Sequence, residues 1–471
     1  MESGSLKITS GTDSLVAQLL SPISRVGQQP LQPTEVGVDL QGNLASWYPR
    51  LRPWIRWNDW TVAGQIKMAA RISTLGEFTR VESSQVEIND LEASSKSLVI
   101  SEPVARLEAA GSWHKAARVF RFTRASVACT SFSGLTTGLE LRIKRASSPA
   151  IQGELAVRGD LNRLSRWLCK QDQLPYQRVQ GKLTGGVTFQ HSQGNTQCNW
   201  NFTVLQPAIE KRHSTKSQPA LGNLPVSRSK VWQELWKEDQ IRLTGNGTLT
   251  QAQDSFQLDD LRITSKLLAL QASGAITGLN GPLDIRVTGY TDFEMQNVVQ
   301  SLQGFLGGNI ALQGRRRHPF LMQGPLQPAH ADAAKKGESA GLVVQTGLGW
   351  KSGVVHGLTL GPTDITAKYS SRWVTGRSEQ ALYFDSFKVP VNDGLLRAQP
   401  RVLLNPPPTL SDESPGPLLL MGQTQLLERV SITRDMCSEW LKYVAPLVGD
   451  ATRIKGRLSV GLTHARISLA D

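Results

Sequence analysis

Acidic pairs, histidine clusters, activated nucleophiles and glycine-rich phosphate loops are the residue patterns that could give this chain a reaction to run. Asp259-Asp260 is a carboxylate pair. Neighbours on a strand point to opposite faces, so the pair is expected to mark a hairpin turn rather than to share acid–base work. The seven histidines, at 114, 191, 213, 318, 330, 356 and 464, are far apart, and none has a partner four residues on that would suit zinc. Ser131-Phe132-Ser133-Gly134 lacks the first glycine of a nucleophile elbow. Gly181-Lys182 is followed by Leu183 rather than Ser or Thr, and Gly347 to Gly353 misses the dinucleotide spacing by one residue. The four cysteines, at 129, 169, 198 and 437, form no C-x-x-C and are expected to be free thiols. No catalytic residue, metal or cofactor is expected.

Binding is then the chemistry left. The formal net charge is +13, with basic runs at Arg142, Lys144 and Arg145, at Lys211 to His213 and at Arg315 to Arg317. A basic surface favours anionic partners such as phospholipid headgroups. No nucleic-acid-binding signature accompanies the dispersed cations, so nucleic acid is not an expected partner. Trp54, Trp57 and Trp60, with Arg50 and Arg52 just before them, are candidate membrane-interface residues. The plainer reading is that Trp47 and Trp54 pack a helix onto a sheet.

These residues must be positioned by strands. The chain has 471 residues, 39% of them apolar, with 42 glycines and 24 prolines spread along it. That composition suits many short strands with frequent turns. Two repeats organise them. Asn43 and Asp160 each end a strand-like stretch and can cap a following helix. Each is followed 21 residues later by a glycine in an aliphatic-x-Gly-x-aliphatic strand start, Gly64 and Gly181. A third copy begins at Asp435 and reaches Gly456, and a looser one begins near Asp292. The second repeat aligns 86–100 with 256–270 without gaps, and a weaker copy covers 382–389. It reads as a strand, a tight turn and another strand, with apolar residues at alternate positions.

The layout expected is β-groove repeats over 1–205, with helix–strand units near 43–66 and 160–183. A loop over 206–230, a repeat over 231–312, a basic, Pro-rich loop over 313–341 and a last repeat over 342–471, with a helix near 435–447, complete it. A few short helices cannot cover the apolar face of so many strands. The face must either close on a second layer or be covered by an apolar ligand. The fold class expected is mainly β: an elongated, repetitive antiparallel sheet curved into a groove, with short helices between repeats. The groove lining is expected to include Val86, Ile88, Leu98, Ile100, Phe256, Leu258, Leu268, Leu270, Leu283 and Ile285.

Gly-Asn-Leu-Ala or Gly-Asp-Leu at a helix start, then Val-x-Gly-x-aliphatic, resembles the AsmA-like proteins of bacterial envelopes, with their TamB and YhdP relatives. So does the stretch from Leu258 to Ile276. The resemblance covers most of the chain in scattered pieces. It implies a repeating β-groove that carries or shields lipid between membranes, assists outer-membrane biogenesis and has no catalytic residues. It also implies a place at the periplasmic face of the inner membrane, phospholipid or another lipid as partner, and an outer-membrane protein as a second one. The family begins with a membrane-spanning helix. This chain shows neither a signal peptide nor a span, and both ends read as cut, so membrane attachment is expected through a segment it lacks. The alternative is a structural or adhesive β-repeat protein that binds protein or polysaccharide. A carbohydrate-active enzyme on a β-solenoid stands third.

Overall fold

The structure, a computed structural model, describes residues 4–22, 32–51, 60–95, 99–143, 149–167, 177–213, 231–279, 283–301, 309–325, 341–374, 377–406, 417–441 and 455–469. Of these, 74% are strand and 9% helix. The strands form long antiparallel sheet that does not close into a barrel. The chain divides into two compact units, Met1–Thr244 and Gly245–Asp471. That division falls inside the stretch 231–312 that reads as one repeat in the sequence.

Unit 1 is an antiparallel meander. Its strands are β1 (Ser5–Ser10), β2 (Asp13–Leu19), β3 (Thr34–Asn43), β4 (Thr61–Leu75), β5 (Phe78–Ser94) and β6 (Val99–His114). They continue with β7 (Val119–Cys129), β8 (Phe132–Arg142), β9 (Ala150–Asp160), β10 (Gln177–Ser192), β11 (Asn195–His213) and β12 (Val231–Lys237). Each pairs with the next in sequence. Two helices interrupt the run, α1 (Leu44–Leu51) after β3 and α2 (Leu161–Trp167) after β9. Strand β13 (Gln240–Thr250) holds the unit boundary.

In unit 2 the chain alternates between two sheets. One contains β14 (Ser255–Thr264), β15 (Leu268–Thr277), β16 (Asp284–Glu294), β18 (Arg315–Pro325), β19 (Val343–Trp350), β22 (Thr363–Val374), β23 (Arg377–Phe384), β26 (Arg401–Leu403), β27 (Leu418–Met421) and β30 (Ala465–Ser468). The other contains β17 (Ile310–Gln313), β20 (Ser352–Val355), β21 (Leu358–Leu360), β24 (Phe387–Val391), β25 (Gly394–Ala398), β28 (Thr424–Ser431) and β29 (Arg457–Leu462). A third helix, α3 (Met295–Ser301), follows β16.

The strand–helix–strand repeat is visible as a shared register. The residue before the helix pairs with the residue after the glycine in both copies of unit 1, Asn43 with Gln65 and Asp160 with Lys182. Gly64 and Gly181 have φ of 138° and 133°. A Cβ on Gly64 would lie 2.9 Å from the Asn89 carbonyl oxygen, so the site needs glycine for both backbone angle and space. The caps are as expected: Asn43 Oδ1 accepts from Ala45 N at 2.9 Å, and Asp160 Oδ1 from Asn162 N at 3.0 Å.

In unit 2 the register places the looser copy two residues later than the sequence does, with Glu294 opposite Arg315 and Gly314 at φ 120°. The third copy pairs Ser431 with Arg457. Its cap is Thr433, whose hydroxyl accepts from Met436 N at 3.3 Å; Asp435 sits in the first turn, where its charge favours the helix start.

Three sequence readings are corrected. Asp259-Asp260 is not a hairpin turn: it falls at a register shift within β14, and the turn lies after Thr264, where Ser265 Oγ accepts from Leu267 N and Leu268 N. Its counterpart Asp90 is a left-handed residue inside β5, with φ of 52°. A short acid tolerates that bulge conformation as well as it suits a turn, so composition alone does not separate the two. The 382–389 copy is no hairpin either, because β23 and β24 belong to different sheets. Finally, strand extends into both expected loops, to His213 in β11 and across Arg315–Pro325 in β18.

Candidate functional site

Registered pairs trace a continuous apolar row across unit 1. It runs Ile8, Leu15, Leu40, Met68, Val86, Leu107, Val127, Gly134, Val157, Gly185, Phe202, one residue from each of β1 to β11. The row beside it, two residues along each strand, contains Leu6, Ala17, Val38, Ala70, Ala109, Leu155, Val187 and Trp200. No Asp, Glu, Lys or Arg stands in either row.

One residue over, the pleat points the other way and the chemistry inverts. There the row reads Gln41, Lys67, Glu87, Arg106, Ala128, Ser133, Arg158, Thr184, Thr203. Arg106 pairs with Glu87 at 3.0 Å, and Arg124 with Glu108 at 3.5 Å. The Arg106 hydrogen bond, followed by that of Asn89, holds the Glu87 carboxyl below the usual range.

Among the described residues, the apolar face is covered at only one end. Helix α1 lays Leu44 and Trp47 on Ile66, with Leu15, Leu40, Val86 and Ile88 packed around them. Arg50 reaches Asp13 at 3.4 Å and stacks over the Trp47 ring at 5.0 Å. Asp13 also accepts from Ser46 Oγ and from Asn43 N at 2.9 Å. A second carboxylate does the equivalent work at α2. Glu102, 2% exposed, accepts from Trp167 Nε1 at 3.1 Å and from Ser131 N at 3.2 Å. Away from the helices the face stays open, with Leu6, Ile8 and Leu107 exposed by 59%, 51% and 42%.

Unit 2 carries a comparable row: Leu258, Gly274, Val287, Met322, Val344, Tyr369, Leu382, Val402, Leu419, Ile467. Here the second sheet covers part of the face. Phe293, Trp350 and Ile365 of the first sheet form one core with Leu360, Val389, Val391, Leu427 and Val430 of the second, and with Met436. The face also admits charge. Arg316 stands opposite Phe293 and contacts Asp364 at 3.2 Å, and His318 stacks on Phe293. Burial pushes the His318 imidazole pKa down; Asp364 opposes that shift and Arg316 adds to it.

The expected lining residues divide accordingly. Val86 and Ile88 lie on the apolar face but beneath α1. Phe256 and Ile285 share one row through Ile276, while Leu258, Leu268 and Leu270 occupy the next rows of the same face. Leu258 is 6% exposed and Leu268 37%, so only the second is open. Leu283 is half-buried just before β16. Ile100 lines a shallow recess with Val62, Ala93 and Val99, past the register shift in β5. Leu98 lies outside the described residues, as do Arg52, Trp54 and Trp57. Trp60 is half-buried, and Arg50 is engaged with Asp13.

Sequence reading missed most of the open face, including Ile8, Leu107 and Val127. The signal was alternation within each strand, as in Val86-Glu87-Ile88. What it lacked was register, which depends on the length of every hairpin. Among the described residues, no group of three or more His, Cys, Asp and Glu is placed to hold a metal ion. Cys129, Cys198 and Cys437 are free. Among the same residues, no helix is long and apolar enough to cross a membrane. No protein-family model, curated protein or solved structure matches the chain.

Proposed function

We propose that the chain is a non-catalytic scaffold whose open apolar face in unit 1 shields lipid acyl chains. The observation that carries this reading is the charge-free row across β1 to β11, backed by an ion-paired row one residue away. A monomeric protein gains nothing by leaving Leu6, Ile8 and Leu107 half in water. Large exposed apolar patches mark interaction sites, and at ~25 cal/mol per Å2 an acyl chain laid on such a face recovers several kcal/mol. Acyl chains suit it better than a compact ligand, because the face is long and no charged residue stands in its two rows. As in the AsmA-like proteins that the sequence resembles, the role would be lipid transfer or shielding in the cell envelope. The periplasmic location and an outer-membrane protein as partner follow from that resemblance.

Native mass spectrometry with lipid extraction of the purified chain tests the reading. Co-purifying phospholipid, depleted in Leu107→Asp and in Val127→Asp, supports it. A lipid-free, soluble monomer would overturn it and favour a structural β-repeat protein.

A further inference from the structure

The end of the unit 1 sheet opposite the helices carries an unusual mixture. Three successive hairpin ends meet there: Leu75 to Phe78 between β4 and β5, His114 to Val119 between β6 and β7, and Arg142-Ile143 after β8. Backbone bonds join them side by side, from Lys115 N to Glu77 O at 2.9 Å and from Ile143 N to Arg118 O at 2.9 Å. Leu75, Phe78 and Ile143 are 44%, 54% and 45% exposed, which core packing does not require of residues this large. Around them stand five cations, Arg80, Lys115, Arg118, Arg121 and Arg142, against two carboxylates, Glu77 and Glu140. Glu140 is taken up by Arg121 at 3.0 Å and Arg142 at 2.9 Å.

Adjacent hairpins in a sheet stand about 10 Å apart, close to the screening length at physiological salt, so these charges act on a partner together. Exposed apolar tips set among excess cations match the surface of an anionic bilayer, with acyl boundary for the tips and phosphate for the cations. We infer that this rim docks unit 1 on anionic phospholipid membrane. The docking stands on the rim's own chemistry. Its role as the place where lipid enters the apolar face rests on the lipid-shield reading above.

Vesicle co-sedimentation tests it, with phosphatidylcholine vesicles and with vesicles in which part of that lipid is replaced by phosphatidylglycerol. The chain is expected to bind the second and not the first, and salt is expected to weaken binding. Reversing an exposed cation, as in Lys115→Glu, lowers affinity by roughly 10- to 30-fold, given about fivefold per charge at a membrane surface. Phe78→Ser and Leu75→Ser weaken binding at unchanged net charge, with an unchanged circular dichroism spectrum as evidence of folding. Absence of binding to phosphatidylglycerol vesicles, equal binding to both vesicle types, or binding indifferent to Lys115 and Phe78 overturns the inference. Co-purified lipid separates it from the function proposed above. Rim variants that lose vesicles and keep bound lipid support the rim as a docking surface, whereas a lipid-free wild type that still binds vesicles removes only the shield.

Discussion

In unit 2 the apolar face runs under a second sheet, and Val389, Val391, Val430 and Met436 are 2%, 1%, 0% and 0% exposed. In unit 1 the same alternating pattern leaves Leu6, Ile8 and Leu107 about half in water. The strands themselves account for the difference. Unit 2 gives seven strands of three to eight residues to a covering layer, drawn from the segments after each crossing. Unit 1 uses strands of up to 19 residues in a single meander and, among the described residues, covers the face only with α1 and α2. The same alternating pattern thus closes against a second layer in one unit and stays open among the described residues of the other.

Mutations that put charge on each face break this comparison most sharply. Val430→Asp buries a carboxylate with no partner and should cost about 4 kcal/mol or more, enough to remove the unit 2 transition from a urea unfolding curve. Val127→Asp, on the open face, should leave unit 1 folded. If the two variants unfold alike, the faces are not different. Truncation sharpens the contrast. Met436→Ala should cost about 2–5 kcal/mol, and Leu107→Ala less than about 1 kcal/mol, both read as shifts in the urea midpoint.

Smaller effects test the helices that close one end of the unit 1 face. Asn43→Ala and Asp160→Ala should each cost about 0.5–2 kcal/mol by removing a helix cap. The pH dependence follows from Asp13. Hydrogen bonds from Ser46 and Asn43, with Arg50 nearby, hold its pKa below the ordinary 3.8, against the opposing effect of burial. A depressed carboxylate stabilises the fold above its unfolded pKa, and that contribution is lost as pH falls through the folded value. Asp13→Asn should therefore lower unit 1 stability at neutral pH and converge on the wild type as pH falls below 3.8, which flattens the acid limb. An acid limb identical to wild type would show that the Asp13 contacts do not anchor α1.

Much of this organisation is legible in the sequence. The 21-residue spacing from cap to glycine reports a real register, because Asn43 and Asp160 sit where the strand must stop and Gly64 and Gly181 where only glycine fits. The second sheet was not legible. Ile310 to Leu312 and Val389 to Val391 are short apolar runs, and nothing in them says which layer they join. Asp259-Asp260 misled because a bulge and a turn favour the same residues. The apolar faces are half legible: alternation picks out Val86 and Ile88 beneath α1 and Leu268 in unit 2, but not the open Leu107 and Val127, since a row exists only once eleven strands are in register.

Photo-crosslinking with a phospholipid that carries a photoreactive acyl chain, mapped by peptide mass spectrometry, tests the central claim most directly. The account predicts adducts on apolar-row residues of unit 1 such as Leu107, Val127 and Trp200. It predicts none on the opposite row at Lys67, Arg106 or Arg158. Adducts spread equally over both faces, or confined to unit 2, would contradict it.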